Sequence, residues 1–198
     1  MSIVIGIAHK NTVLIESDGR ATSTKTGNII SERQNKTRKL SDTAICGFTG
    51  HYNACDLAVR NMIQSNGGNL RTMSLKEQAE ALYYASIFLL SSGEPLEFAF
   101  VVGGFDVDGL PALYSWQNTE KISVHKPSPL ADIAFVSLDP PDYPCNMTQM
   151  LGKYLKRDSR DYCKAVDSCI REVARGCPAV NASIFREILV RRDGLHLR

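Results

Sequence analysis

The chain has 198 residues, enough for one ordinary domain that buries roughly 70–75% of its unfolded surface without a disulfide or metal staple. A hydrophobic fraction of 43% and a charged fraction of 22% exclude disordered, collagenous and coiled-coil classes, and no apolar run reaches the roughly 20 residues of a membrane helix. With 23 basic and 21 acidic side chains, the +2 net charge argues against a nucleic-acid or membrane surface built on bulk electrostatics.

Ile3, Ile5 and Ile7 alternate with Val4, Gly6 and Ala8, which predicts a strand buried on both faces. His9-Lys10-Asn11 turns it into a second strand through Val13 to Ile15, ending in Glu16-Ser17-Asp18-Gly19-Arg20. Residues 22–28 read as a loop. Residues 29–33 and 37–40 are weak strand candidates, and residues 43–49 a stronger one closed by Gly50.

A helix is expected over residues 51–64, with Cys55, Ala58, Val59, Met62 and Ile63 on one stripe. Ser74 followed three residues later by Glu77 forms a capping box that opens a second helix, running to about Ser92-Gly93. Tyr83, Ile87 and Phe88 make this helix apolar over most of its circumference, so it is expected to be covered on more than one side.

Strands follow at 97–105, 111–116, 121–124 and 133–137, and Pro140-Pro141 and Pro144 then break the pattern. A short helix at 146–154, an amphipathic helix at 159–175, a strand at 182–190 and a turn at 192–194 into residues 195–197 complete the order. Strands joined by short turns imply antiparallel pairing, and helices arriving in blocks argue against a doubly wound parallel fold. The six cysteines (46, 55, 145, 163, 169 and 177) contain no C-x-x-C pair and, with four scattered histidines, show no metal-ligand spacing. They are expected to pack as reduced thiols in a cytoplasmic protein.

Five strings, in order, resemble the proteasome β-subunit family of N-terminal nucleophile hydrolases. Ser2-Ile3-Val4-Ile5-Gly6-Ile7 is similar to the family's opening strand, where threonine usually stands at the position of Ser2. Ser17-Asp18-Gly19-Arg20-Ala21-Thr22 resembles its Asp-Ser-Arg-Ala-Thr turn, and Arg38-Lys39-Leu40 the segment carrying its active-site lysine. Cys46-Gly47-Phe48-Thr49-Gly50 resembles the strand end whose last glycine supplies an oxyanion-hole amide. Val102-Gly103-Gly104-Phe105-Asp106, with Gly109 and Leu113-Tyr114-Ser115, resembles the central hairpin. The match covers roughly residues 2–115 and needs a loop before Lys39 about five residues longer than usual, which loops tolerate.

The resemblance implies one α+β domain over residues 1–198, a four-layer αββα sandwich of two antiparallel sheets flanked by helices. It implies a serine- or threonine-type peptidase of the cytoplasm that cleaves peptide bonds in polypeptide substrates and assembles with copies of itself or related subunits in a ring, with no cofactor, nucleic acid or membrane. Ser2 would be nucleophile and, through a free α-amine exposed by Met1 removal, general base, since that amine titrates near neutral pH. Lys39 would be its electrostatic partner, Asp18 the group that orients the lysine, Gly50 the oxyanion donor, and Arg20 a support for the loop.

Beyond serine in place of threonine and the Met1 that precedes it, two further departures accompany the match. Val136-Ser137-Leu138-Asp139-Pro140 stands where the family has Ser-Gly-Ser, and Gly176-Cys177-Pro178 offers no acidic residue where the family carries a later Asp. Each residue also has a plainer reading. Asp18 and Arg20 could form an ion pair closing a hairpin, Lys39 could be a solvated edge charge, and Gly50 a hinge with permissive φ/ψ. Two other functions therefore stand beside the hydrolase: a catalytically silent ring subunit, and a binding module that kept the fold.

Overall fold

The computed structural model describes residues 2–23, 26–90, 96–128, 132–140, 143, 146–158 and 161–191. The chain opens with β1 (Val4–His9) and β2 (Thr12–Asp18), followed by the short β3 (Ala21–Thr22), β4 (Ile29–Ser31) and β5 (Thr37–Lys39) and by β6 (Ala44–Gly50). Helices α1 (Tyr52–Asn66) and α2 (Leu75–Leu90) precede β7 (Phe98–Phe105), β8 (Pro111–Gln117), β9 (Ser123–His125) and β10 (Ile133–Leu138). Helices α3 (Met147–Arg157) and α4 (Tyr162–Gly176) lead to β11 (Ile184–Val190). The expected turn at residues 192–194, the end of the second helix at Ser92-Gly93, and Cys145 lie outside the described residues.

Two antiparallel sheets result, one ordered β10-β1-β2-β11 and the other β5-β6-β7-β8-β9, with β3 and β4 as a separate ribbon. The period-2 pattern decides how they stack. Val4, Ala8, Val13 and Ile15 from the first sheet meet Ile45, Val101 and Leu113 from the second, forming a core between the sheets. On the opposite face of β1, Ile3, Ile5 and Ile7 pack with Leu151 of α3 and Val166, Cys169, Ile170 and Val173 of α4. Phe48, Phe100 and Trp116 cover the outer face of the second sheet beneath Ala58, Val59 and Met62 of α1 and Ala79 and Leu82 of α2. The layers are therefore αββα, as the resemblance implies. No helix among the described residues is long and apolar enough to cross a membrane.

Local chemistry starts the helices where the sequence places them. Ser74 Oγ accepts from Glu77 N at 3.2 Å while Glu77 Oε2 accepts from Ser74 N at 2.7 Å, the reciprocal pair of a capping box. Asn146 and Asp161 cap α3 and α4 by accepting from Gln149 N and Lys164 N. Ser86, a polar residue on the buried stripe of α2, accepts from Trp116 Nε1 at 3.1 Å, so neither group is left unpaired in the core. Helix α2 is covered on two sides, by α1 and by β7 and β8, as its apolar circumference predicts, while Tyr84 and Phe88 stay 68% and 73% exposed.

The sheets approach closely where β6 crosses β1 and β2. A Cβ on Gly47 would lie 2.7 Å from both Val4 Cγ1 and Ile15 Cγ2, methyl groups of fully buried residues. Gly47→Ala is expected to destabilise the fold by about 1–3 kcal/mol through overpacking. Gly68→Ala, where a Cβ meets nothing within 4 Å, is the control. Urea denaturation should show a lower midpoint only for the first.

Candidate active site

The site forms where the start of β1 lies against the end of β6 and the turn after β2. Strand β1 pairs with β2 so that Val4 faces Ser17, which brings Ser2 beside the 18–20 turn. Ser2 N donates to Thr49 Oγ1 at 3.3 Å, and Thr49 Oγ1 donates back to Ser2 O at 3.4 Å. The hydroxyl of Ser2 donates to the carbonyl of Arg20 at 3.3 Å. Three of the expected residues are thus neighbours: Ser2, Asp18 and Arg20. Gly50 follows Thr49 directly, at φ +106°, and a Cβ there would lie 2.1 Å from Glu97 O, so no other residue fits without moving β7.

The lysine at this site is Lys36. Its ammonium donates to Asp18 Oδ1 at 3.0 Å, Asp18 O at 3.2 Å and Arg20 O at 2.6 Å. Those three acceptors use all three of its N–H groups. Lys39, the expected candidate, is not brought there. Its ammonium pairs with Asp42 at 2.8 Å, and its side chain is 54% exposed. The reason is strand geometry. Register places Lys39 opposite Ile45, four residues along β6 from Thr49, whereas the carbonyl of Lys36 accepts from Phe48 N. At a rise of about 3.3 Å per residue, Ile45 lies about 13 Å from the end of the strand where Ser2 sits.

Asp18 is fully buried and accepts four N–H bonds, the full complement of a carboxylate. Lys36 and Ile3 N donate to Oδ1, while Arg20 N at 2.9 Å and Asn181 N at 3.4 Å donate to Oδ2. The hairpin-end ion pair between Asp18 and Arg20 does not form. Arg20 instead pairs with Glu32 through Nε at 3.2 Å and its terminal nitrogen at 3.0 Å, and donates to Pro178 O. Burial pulls Lys36 below the ordinary lysine value, against the upward pull of Asp18's charge and hydrogen bond. Hydrogen bonds from Arg20 and then Asn181 hold Glu32 below the usual carboxylate range.

Sequence reasoning missed Lys36, Thr49's contact with Ser2, Glu32 and Asn181. Asn181 lies 162 residues from the Gly19 amide it accepts, at 2.9 Å, and only the fold joins them. Ser137, at the departure from the family's Ser-Gly-Ser, donates to Asp139 at the end of β10, where Leu138 faces Val4. Among the described residues no group of three or more His, Cys, Asp or Glu is placed to hold a metal ion. The chemical resources are a hydroxyl, a buried ammonium held by a carboxylate, and backbone amides at a strand end.

Comparisons with known proteins agree with the fold. A family model described as "Proteasome subunit" matches residues 2–119. The structure is similar to that of HslV from Trypanosoma brucei, with a TM-score of 0.62 and 14% identity over 96% of this chain and 99% of that one. It is also similar to a subunit of the helical assembly of the Anbu complex from Pseudomonas aeruginosa, with a TM-score of 0.73 and 14% identity over 96% of this chain and 81% of that one. No curated protein matches the sequence.

Proposed function

The chain belongs to the proteasome subunit family, and from that premise we propose that it is an N-terminal nucleophile hydrolase that cleaves peptide bonds with Ser2 after removal of Met1. The observation that carries the reading is the convergence of the Ser2 hydroxyl and the Lys36 ammonium on one acceptor, the Arg20 carbonyl, with Lys36 fixed by Asp18.

In this reading the α-amine of Ser2 takes the hydroxyl proton as Oγ attacks the scissile carbonyl. An amide nitrogen in the Met1–Ser2 linkage is not basic, so the methionine must leave first. The Lys36 charge lowers the pKa of the amine and steadies the developing alkoxide. The Gly50 amide donates to the oxyanion, an interaction often worth about 3–4 kcal/mol. Collapse breaks the peptide C–N bond, the amine returns the proton to the leaving nitrogen, and water then hydrolyses the Ser2 ester.

Assembly with copies of the chain, in a ring or a related array, is part of the proposal. Leu57 on α1 and Tyr84 and Phe88 on α2 leave large apolar side chains exposed, which favours burial against other subunits. The same residues favour the second reading, a subunit that assembles without turnover.

Intact mass of natively expressed protein tests the first requirement, with loss of one methionine expected. A hydroxyl-directed electrophile should then label the processed chain and fail to label Ser2→Ala. Retained methionine, or equal labelling of Ser2→Ala, rejects the hydrolase reading. A large symmetric particle by sedimentation combined with absent labelling supports the silent subunit.

A further inference from the structure

We propose that Asn181 is a positioning residue for this site, clasping the turn that presents both the Asp18 carboxylate and the Arg20 carbonyl. The inference rests on the hydrolase reading for its consequence in catalysis and on geometry alone for its effect on Lys36.

Asn181 lies between α4 and β11. Strand β11 enters its ladder with Ile184 opposite Asp18, so the residues just before it fold over the 18–20 turn. Asn181 is buried there, and its amide group is saturated. Oδ1 accepts from Gly19 N at 2.9 Å and from Ser183 N at 3.2 Å. Nδ2 donates to Glu32 O at 2.8 Å and to the Glu32 carboxylate at 2.5 Å. Its backbone N–H reaches Asp18 Oδ2. Both lone pairs and both protons of the side chain are in use, which is a demand only an amide at this position meets.

The contacts close a ring. Asn181 holds Gly19 and Glu32. Glu32 holds the Arg20 guanidinium, and Arg20 holds the Pro178 carbonyl of the loop that carries Asn181. The turn has no slack, because a Cβ on Gly19 would lie 2.8 Å from Phe185 Cε2 and 2.9 Å from Glu32 O. The carbonyl of Arg20, the residue this ring locks, is the acceptor shared by Ser2 and Lys36. Freeing the turn loosens all three oxygens on the Lys36 ammonium, the Asp18 carboxylate and the Asp18 and Arg20 carbonyls, and admits water.

The test measures Lys36 without requiring turnover. Competitive acylation of the assembled protein across pH, read by mass spectrometry, gives the titration midpoint and reactivity of each lysine, with exposed Lys39 as the internal reference. In Asn181→Ala, Lys36 is expected to become at least tenfold more reactive toward the acylating agent, and its midpoint to rise from the depressed position that burial gives it. Asn181→Asp keeps the acceptor for Gly19 and sets a carboxylate against Glu32, so it gives the same shift if the alanine variant does not fold. Ser2 labelling should fall at least tenfold in both variants. An unmoved Lys36 midpoint in the single variants overturns the proposal. A moved midpoint in a protein whose Ser2 is never labelled upholds the clasp and rejects the hydrolase reading.

Discussion

Lys36→Met is expected to slow electrophile labelling of processed Ser2 by about a hundredfold to a thousandfold, the scale of losing one oriented electrostatic partner, while Lys39→Met labels at the wild-type rate. The contrast follows from the surroundings of the two ammonium groups. Lys36 is 3% exposed with three protein acceptors, and Lys39 pairs at the surface with Asp42. A surface pair is worth at most about 1 kcal/mol. Breaking a buried pair costs about 3–5 kcal/mol because the remaining charge stays unpaired, so Lys36→Met should also lower stability. Adding Asp18→Asn to Lys36→Met removes that orphaned charge. The new amide also sets an NH2 against a backbone N–H, so the double variant is expected to regain part of the stability and none of the labelling, which separates a folding role from a chemical one. Thermal unfolding and labelling rates on the four proteins decide it. Unchanged labelling of Lys36→Met, or an equal loss in Lys39→Met, places the chemistry elsewhere.

That three-residue displacement shows where sequence reading stops. The alternation of Ile3 to Ala8, the capping box at Ser74 and the amphipathic stripe of α4 are local, and the structure keeps all of them. Asp18, Arg20 and Gly50 are anchored by short strings at strand ends and fall at the site. The lysine stands at the far side of a loop of variable length, and the Arg-Lys-Leu string favours Lys39. Choosing Lys36 reduces the extra loop length from about five residues to about two, and the register of β5 on β6 then decides the matter. Asn181 and Glu32 carry no motif. Their roles arise from pairing β11 with β2, a contact between distant parts of the chain that no local pattern encodes. The apolar circumference of α2 predicts its two covered sides, against α1 and the second sheet, but does not say that Tyr84 and Phe88 stay exposed, since hydrophobicity alone does not say what covers a face.

Glu16→Gln is expected to leave stability almost unchanged near pH 4.5 and to raise it by several kcal/mol at pH 9. Glu16 is fully buried on β2, two residues from Asp18 on the same strand. Arg186, opposite it on β11, donates from Nε to Oε1 at 2.5 Å, while Oε2 has no hydrogen-bond partner among the described residues. The Arg186 guanidinium is shared with Asp167 of α4 at 2.7 Å, and Cys163 of α4 also faces the pair. Burial therefore dominates the pull of Arg186 and pushes the Glu16 carboxyl up to about 8 from 4.5. The folded state binds this proton more tightly than the unfolded state. The stabilisation is fully present below pH 4.5 and is lost progressively as pH rises to about 8, a change on the order of 4–5 kcal/mol. Glutamine keeps the volume and the acceptor for Arg186 and cannot ionise, so this pH dependence disappears. A neutral Glu16 also keeps a second anion away from Asp18, whose charge holds Lys36, so labelling of Ser2 in Glu16→Gln should persist at neutral pH. Urea denaturation of both proteins at pH 5, 7 and 9 is the measurement. Wild-type and Glu16→Gln stabilities that run parallel across that range would show that Glu16 is ionised in the folded chain and that the Arg186 pair outweighs its burial.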